Sequence, residues 1–126
     1  MFTYTKTGKD GEKTTGRLYL NGKGYSAVSG GYGKGELPDG LYRVNVRGAV
    51  AGSHLSSGFK AGGAAFFIPI EHGTDASRSG LGIHPDGNDP GTLGCIGIAP
   101  SDAKRFLDQW TAMAISRRPT SLEVTG

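Results

Sequence analysis

The stretch from Arg78 to Ile98, RSGLGIHPDGNDPGTLGCIGI, bears most directly on the fold of this 126-residue chain. Its apolar runs Leu81–His84 and Cys95–Ile98 each predict a short β-strand. The residues between them are mostly Gly, Asp, Asn and Pro, which tolerate the dihedral angles of a chain reversal. We therefore expect two neighbouring strands that bring the imidazole of His84 close to the sulfur of Cys95.

Short apolar or alternating runs separated by turn residues continue on both sides of this stretch. The predicted strands are Phe2–Thr5, Arg17–Asn21, Tyr25–Val28, Leu41–Val46, Ala65–Ile70, Leu81–His84, Cys95–Ile98 and Ser121–Thr125. The clearest hairpin is Leu18–Tyr25, with Asn21-Gly22 at its turn. The 23 glycines are scattered without a period, which excludes collagen and favours a turn-rich fold. The sequence predicts a mainly β protein with one domain over residues 1–126.

One segment has helical periodicity instead. Apolar residues recur at spacings of three and four over about residues 101–117, after Ser101-Asp102 and before Pro119. This pattern predicts one amphipathic helix packed on the sheet, with Phe106 and Trp110 in the core.

Residues 47–64 are rich in Gly, Ser and Ala. This composition predicts a long mobile loop that flanks a substrate groove.

Charge and hydropathy narrow the range of functions. The formal net charge is +3, which mildly favours anionic partners. The sequence nevertheless contains no basic run with interleaved aromatic residues and no helix-turn-helix or zinc-finger spacing, so we expect no nucleic-acid partner. No apolar run approaches the roughly 20 residues of a membrane span. The N-terminal Met1–Thr7 has no basic segment followed by an apolar one, which predicts synthesis in the cytoplasm without a classical secretion signal.

Cys95 is the only cysteine, so it is either an inert core residue or a candidate nucleophile. A free thiol is only a few per cent thiolate at neutral pH and needs a neighbouring base, which His84 can supply. The amides of Gly94 and Cys95 suit an oxyanion site, because glycine lets a carbonyl approach the backbone closely. Asp86 is a candidate to orient the imidazole, although an Asp-Gly turn explains it equally well. His84 and Cys95 also have purely structural interpretations, as a hydrogen-bonded core histidine and a strand core residue.

A zinc site is the alternative use of the histidines. His54, His72 and His84, with Asp75 or Asp86, supply suitable atoms, but their spacing matches no known ligand motif. We expect neither a metal nor another cofactor.

The segment Ile83-His84, followed by Thr92-Leu93-Gly94-Cys95-Ile96, resembles the signature of the L,D-transpeptidase catalytic domain (YkuD-like). In that family a histidine precedes a Ser/Thr-x-Gly-Cys nucleophile. Leu18–Gly22, Pro38–Val44 and Ser101–Lys104 are further matching pieces in the same order, so the resemblance covers nearly the whole chain. It implies a Gly-rich β-sandwich with one packed helix.

The resemblance also implies a chemistry. Cys95 would form a thioester acyl-enzyme with His84 as base, and the substrates would be peptidoglycan stem peptides. The activities implied are L,D-carboxypeptidase, L,D-transpeptidase or both. Arg78 would receive a stem-peptide carboxylate, and Thr92 would contact substrate backbone.

The chain departs from the usual family pattern at Leu93, where a second histidine is typical, and at Gly97, where an arginine is typical. Its gap between His84 and Cys95 is also shorter. With Arg78 five residues before Ile83, the segment looks closest to small effectors of type VI secretion systems. That subgroup implies action in the periplasm or cell wall, a delivery component and an immunity protein; a phage-encoded enzyme fits as well.

Two other function classes stay open. One is a phage or secreted lytic endopeptidase of the cell wall, although in the commonest papain-like enzymes the cysteine precedes its histidine. The other is a non-catalytic module that binds cell wall or serves in a virion.

Overall fold

The computed structural model describes residues 1–10, 13–30, 37–47, 50–51, 60–61, 63–73, 81–86 and 95–126. The strands of this part are β1 Phe2–Asp10, β2 Lys13–Leu20, β3 Lys23–Gly30, β4 Gly40–Val44, β5 Val50–Ala51, β6 Lys60–Ala61, β7 Ala64–His72, β8 Gly82–Pro85, β9 Ile96–Ile98 and β10 Ser121–Thr125. The helix α1 is Pro100–Ala112, and a short 3₁₀ helix follows at Ile115–Arg117. The mainly β class with one α-helix is confirmed.

Eight of the strands form a closed circuit. They follow the order β4-β10-β1-β2-β3-β9-β8-β7, and β7 pairs back to β4 through Val44 and Ile70 among others. The short strands β5 and β6 pair with β7 outside this circuit. The sheet is therefore a closed, barrel-like form of the layered β fold that the resemblance implies.

The β2–β3 hairpin has the turn that its sequence predicts. Asn21 and Gly22 both have positive φ values, 51° and 88°, as a two-residue turn of the I′ type requires. The N-terminal amino group of Met1 donates a hydrogen bond of 2.8 Å to Asn21 Oδ1, which ties the chain start to this turn. The predicted hairpin is confirmed.

Helix α1 contributes aromatic side chains to the core. The ring of Phe106 lies 5.3 Å from that of Tyr25, 5.7 Å from Phe66 and 6.0 Å from Trp110, measured between ring centroids. Phe106 and Trp110 are both buried, so their predicted place in the core is confirmed.

Helix α1 is also fixed to the sheet at its first turn. The backbone N–H of Ser26 in β3 donates a hydrogen bond of 2.8 Å to Asp102 Oδ2, and this bond holds the pKa of the Asp102 carboxyl below its usual range. The backbone N–H of Ala99 donates to the carbonyl of Ser26. These contacts hold the chain that leaves β9 against β3.

The helix is shorter than the predicted 101–117. It begins at Pro100 and ends at Ala112, because Met113 adopts extended dihedral angles. The residues that follow form the separate 3₁₀ helix instead of further α-helix. Apolar spacing alone does not distinguish these two helix types at a helix end.

The prediction of a continuous loop over residues 47–64 is wrong in part. Val50 and Ala51 pair with Phe67 and Phe66, and Lys60 and Ala61 pair with Ala65 and Ala64. Two-residue strands are too short to show a period in the sequence. Residues 52–59 of the predicted loop lie outside the described part.

Candidate active site

The site is built on β8 and β9, which run parallel with Ile83 opposite Ile96 and His84 opposite Gly97. Successive residues of a strand point to opposite faces of a sheet, and paired residues share a face. Ile83, Ile96 and Ile98 are buried in the hydrophobic core. His84 and Gly97 therefore lie on the other face of the same two strands.

Cys95 immediately precedes β9 and stands two residues before Gly97. It is a bend residue and belongs to the same hydrophobic core cluster as Ile83, Ile96 and Ile98. Cys95 forms no disulfide, and the residue is only 8% exposed. The register thus places Cys95 two residues before the strand partner of His84, and their joint catalytic role stays a prediction.

The imidazole of His84 is 5% exposed and is oriented by the backbone. Its Nδ1 lies 2.7 Å from the carbonyl oxygen of Pro85. A carbonyl only accepts hydrogen bonds, so Nδ1 carries the hydrogen. In the neutral ring Nε2 then has a lone pair available to receive a proton.

Burial lowers the pKa of His84 below its usual value of 6.5, and the hydrogen bond to the Pro85 carbonyl opposes this shift. An imidazole with a lowered pKa is neutral at pH 7. His84 is therefore a neutral imidazole at pH 7, which is the state that general-base activation of a nucleophile requires.

Asp86 directly follows β8 and is also buried, with only 9% of its surface exposed. Its backbone N–H donates a hydrogen bond of 2.7 Å to the carbonyl of Ile98. This bond continues the β8–β9 contact by one residue and keeps the Asp86 carboxyl near the strand end that carries His84. Its predicted orienting role stays a prediction.

Three of the predicted site residues lie outside the described residues: Gly94, Arg78 and Thr92. The same holds for His54 and Asp75 of the alternative zinc site. His72, another candidate ligand of that zinc site, lies on β7, and its ring centroid is 4.8 Å from the ring centroid of Tyr42. No group of three or more His, Cys, Asp or Glu side chains suited to a metal occurs in the described ranges.

Sequence reasoning missed two contributors to the site. One is the Pro85 carbonyl, which is a backbone group and leaves no signal in residue identity. The other is Phe67 of β7, whose ring centroid lies 6.1 Å from that of His84, with 15° between the two ring planes. In the sequence, Phe67 is an apolar residue of a predicted strand with nothing to distinguish it from its neighbours.

The fold and the candidate site thus define a closed, mainly β protein with one packed helix, a buried histidine on one of two paired parallel strands and a buried cysteine just before the other. The family model of the L,D-transpeptidase catalytic domain (YkuD) matches residues 6–117, and the chain belongs to this family. Membership indicates an L,D-transpeptidase-like enzyme with a function related to peptidoglycan.

No curated protein and no solved structure shows significant similarity to the chain. Among the helices in the described ranges, none has the length and apolar character needed to cross a membrane.

Proposed function

We propose that this protein is a cysteine-dependent enzyme that acts on the L,D peptide bonds of peptidoglycan stem peptides through a thioester on Cys95. The observation that carries the proposal is the parallel register of β8 and β9, which pairs His84 with Gly97, two residues after Cys95. The hydrogen bond from Nδ1 to the Pro85 carbonyl supports it, because it leaves Nε2 of His84 as the proton acceptor.

In the first half of the reaction, His84 Nε2 takes the proton of the Cys95 thiol while Sγ attacks the carbonyl carbon of the L,D bond. The amides of Gly94 and Cys95 hold the oxyanion of the tetrahedral intermediate. The carbon–nitrogen bond then breaks, and His84 returns its proton to the amine of the departing D-residue. The acyl group is left as a thioester on Sγ.

In the second half, water or an amine attacks the thioester, and His84 accepts the proton of the attacking group. The carbon–sulfur bond breaks and Sγ recovers a proton. Attack by water gives L,D-carboxypeptidase activity, whereas attack by an amine gives L,D-transpeptidase activity or exchange of a terminal D-amino acid.

The remaining predicted residues serve binding and orientation. Arg78 receives a carboxylate of the stem peptide, Thr92 contacts its backbone, and Asp86 supports the orientation of His84. The enzyme acts in the periplasm or cell wall. Delivery by a type VI secretion system or a phage, and an immunity partner, stay predictions from the resemblance alone.

Mass spectrometry of tetrapeptide and pentapeptide muropeptides tests the proposal. Wild type should remove or exchange the terminal D-residue, whereas Cys95→Ala should reduce the rate by about a thousandfold or more. His84→Gln should do the same, because nucleophile and base act as a unit. Tyr19→Ala, at a partly exposed position on β2, is the matched control and should keep the wild-type rate.

Two other outcomes would redirect the assignment. Cleavage elsewhere in the stem that still depends on Cys95 would make the protein a cell-wall endopeptidase. Intact muropeptides with wild type and all variants would favour a non-catalytic module that binds cell wall or serves in a virion.

A further inference from the structure

Phe67 lies directly across the β7–β8 ladder from His84. The antiparallel register pairs Ile68 with Ile83 and Pro69 with Gly82, so the next position along brings Phe67 opposite His84. The two rings are nearly parallel, with 15° between their planes and 6.1 Å between their centroids. A flat aromatic surface therefore bounds one side of the imidazole.

Gly82 makes room for this ring. It stands two residues before His84 and on the same face of β8. A Cβ atom at Gly82 would lie 2.3, 2.5 and 2.8 Å from three carbons of the Phe67 ring, closer than real Cβ atoms approach. The Phe67 ring thus occupies the space that any larger residue at position 82 would fill.

The neighbouring residues Phe66 and Phe67 of β7 pack differently. Phe66 points to the opposite face, is fully buried and stacks 5.7 Å from Phe106. Phe67 is only partly buried and packs at the margin of the core. The Phe67 ring therefore contacts both the margin of the core and His84.

We propose that Phe67 and Gly82 act together to position His84: the Phe67 ring, seated over Gly82, fixes the plane of the imidazole and excludes water from one of its faces. The rate effects of this pair rest on the proposed function, whereas the state of the imidazole does not. Phe67 is a positioning residue, because it acts on the reaction through His84.

The pKa of His84 gives a readout that packing alone would not move. Burial is the main cause that lowers this pKa, so removal of the Phe67 ring should raise it towards 6.5. The other titratable groups on and beside these strands are Asp86 after β8, Cys95 before β9, and Glu71 and His72 on β7. All of them are unchanged in the variants below.

The experiment compares Phe67→Ala, Gly82→Ala and the double variant with wild type. NMR titration of the imidazole gives the pKa of His84, iodoacetamide labelling gives the reactivity of Cys95, and muropeptide kinetics give kcat and KM. In Phe67→Ala we expect a raised pKa and a loss of about ten- to hundredfold in kcat with little change in KM, as misplacement of a catalytic group causes. Phe67→Tyr should keep the wild-type values.

The double variant is the sharpest comparison. The three atoms nearest to an added Cβ at Gly82 all belong to the Phe67 ring, so the second substitution should do no further harm once that ring is gone. Gly82→Ala alone should impair labelling and kcat, and the double variant should equal Phe67→Ala. Additive losses would overturn the proposal.

A lower melting temperature with unchanged His84 pKa and Cys95 labelling would also overturn it, because Phe67 would then be a packing residue only. If Phe67→Ala does not fold, Phe67→Leu keeps most of the apolar volume without the flat ring and should show a smaller change in the same direction. If wild type leaves muropeptides intact while the pKa of His84 moves as expected, the proposed function fails and the positioning role stands.

Discussion

The β1–β2–β3 meander and the β8–β9 pair belong to one sheet but differ in strand length and in burial. Along β2 and β3, buried side chains mostly alternate with more exposed ones, as in an antiparallel sheet with one face in the core and one in water. Along β8 and β9, every residue is buried. The strands of the meander are eight or nine residues long, whereas β8 has four residues and β9 three.

This difference indicates that the meander mainly stabilises the fold, whereas β8 and β9 support the candidate site. The long ladders of the meander hold the structure with one face exposed to solvent. The short strand β8 carries His84, and Cys95 stands just before β9; both are buried, and burial lowers the pKa of His84. Substitutions in the two regions should therefore change different properties of the protein.

The largest stability effect in this comparison is expected for Leu18→Ala on the buried face of β2. Leu18 is fully buried, so removal of its side chain should lower the free energy of unfolding by about 2–5 kcal/mol. Urea titration checks this, and iodoacetamide labelling of Cys95 in the folded protein should be unchanged. Ile96→Ala, equally buried but on β9, should lower stability by a similar amount and also alter labelling. Altered labelling in Leu18→Ala would break the separation.

A smaller loss is expected at the β2–β3 turn. Gly22 has a φ of 88° and no atom near its missing Cβ, so Gly22→Ala introduces backbone strain without a steric clash. We expect a loss of about 1 kcal/mol in the free energy of unfolding, since a left-handed conformation is unfavourable for L-residues. Lys23→Ala at the next residue is the control for an alanine substitution at a position that has no positive φ. Equal unfolding midpoints for the two variants would contradict the expected strain.

The smallest effect concerns pH, because it arises from one side chain. The pKa of His84 is lower in the folded protein than in the unfolded chain, so the unfolded chain binds more protons below pH 6.5. Stability should therefore be complete above about pH 6.5 and decline as the pH falls towards the pKa of the folded state. His84→Gln should remove this part of the pH dependence in urea titrations at a series of pH values. The same slope in both proteins would refute the assignment to His84.

Local sequence patterns predicted most elements of the sheet. The Asn21-Gly22 turn and the spacing of Phe106 and Trp110 are determined by neighbours in the chain, so their hairpin and helix are confirmed. The predicted strands were often too short: β1 continues to Asp10 and β2 begins at Lys13, because polar residues on the solvent face hide the ends of such strands.

Long-range pairings were beyond such patterns. Nothing near Val44 in the sequence indicates that β4 closes the sheet against β7, and nothing near Gly97 gives its parallel register with His84. For the candidate site, residue types alone singled out His84 and Cys95, and their catalytic roles stay predictions. The contact of Phe67 with His84 depends on the β7–β8 pairing, and the Pro85 carbonyl, although adjacent in the chain, is a backbone group whose direction only the folded structure defines.

Closure of the sheet also restricts how a peptide can approach the thiol. β8 is hydrogen-bonded to β7 on one side and β9 on the other, and β9 is likewise flanked by β8 and β3. A substrate therefore cannot add itself as an extra strand along either of them, which is how many peptide-binding proteins hold extended ligands. A stem peptide, the proposed substrate, would instead be recognised through side chains and through amides outside the strands, with its own backbone hydrogen bonds made to groups outside the ladder.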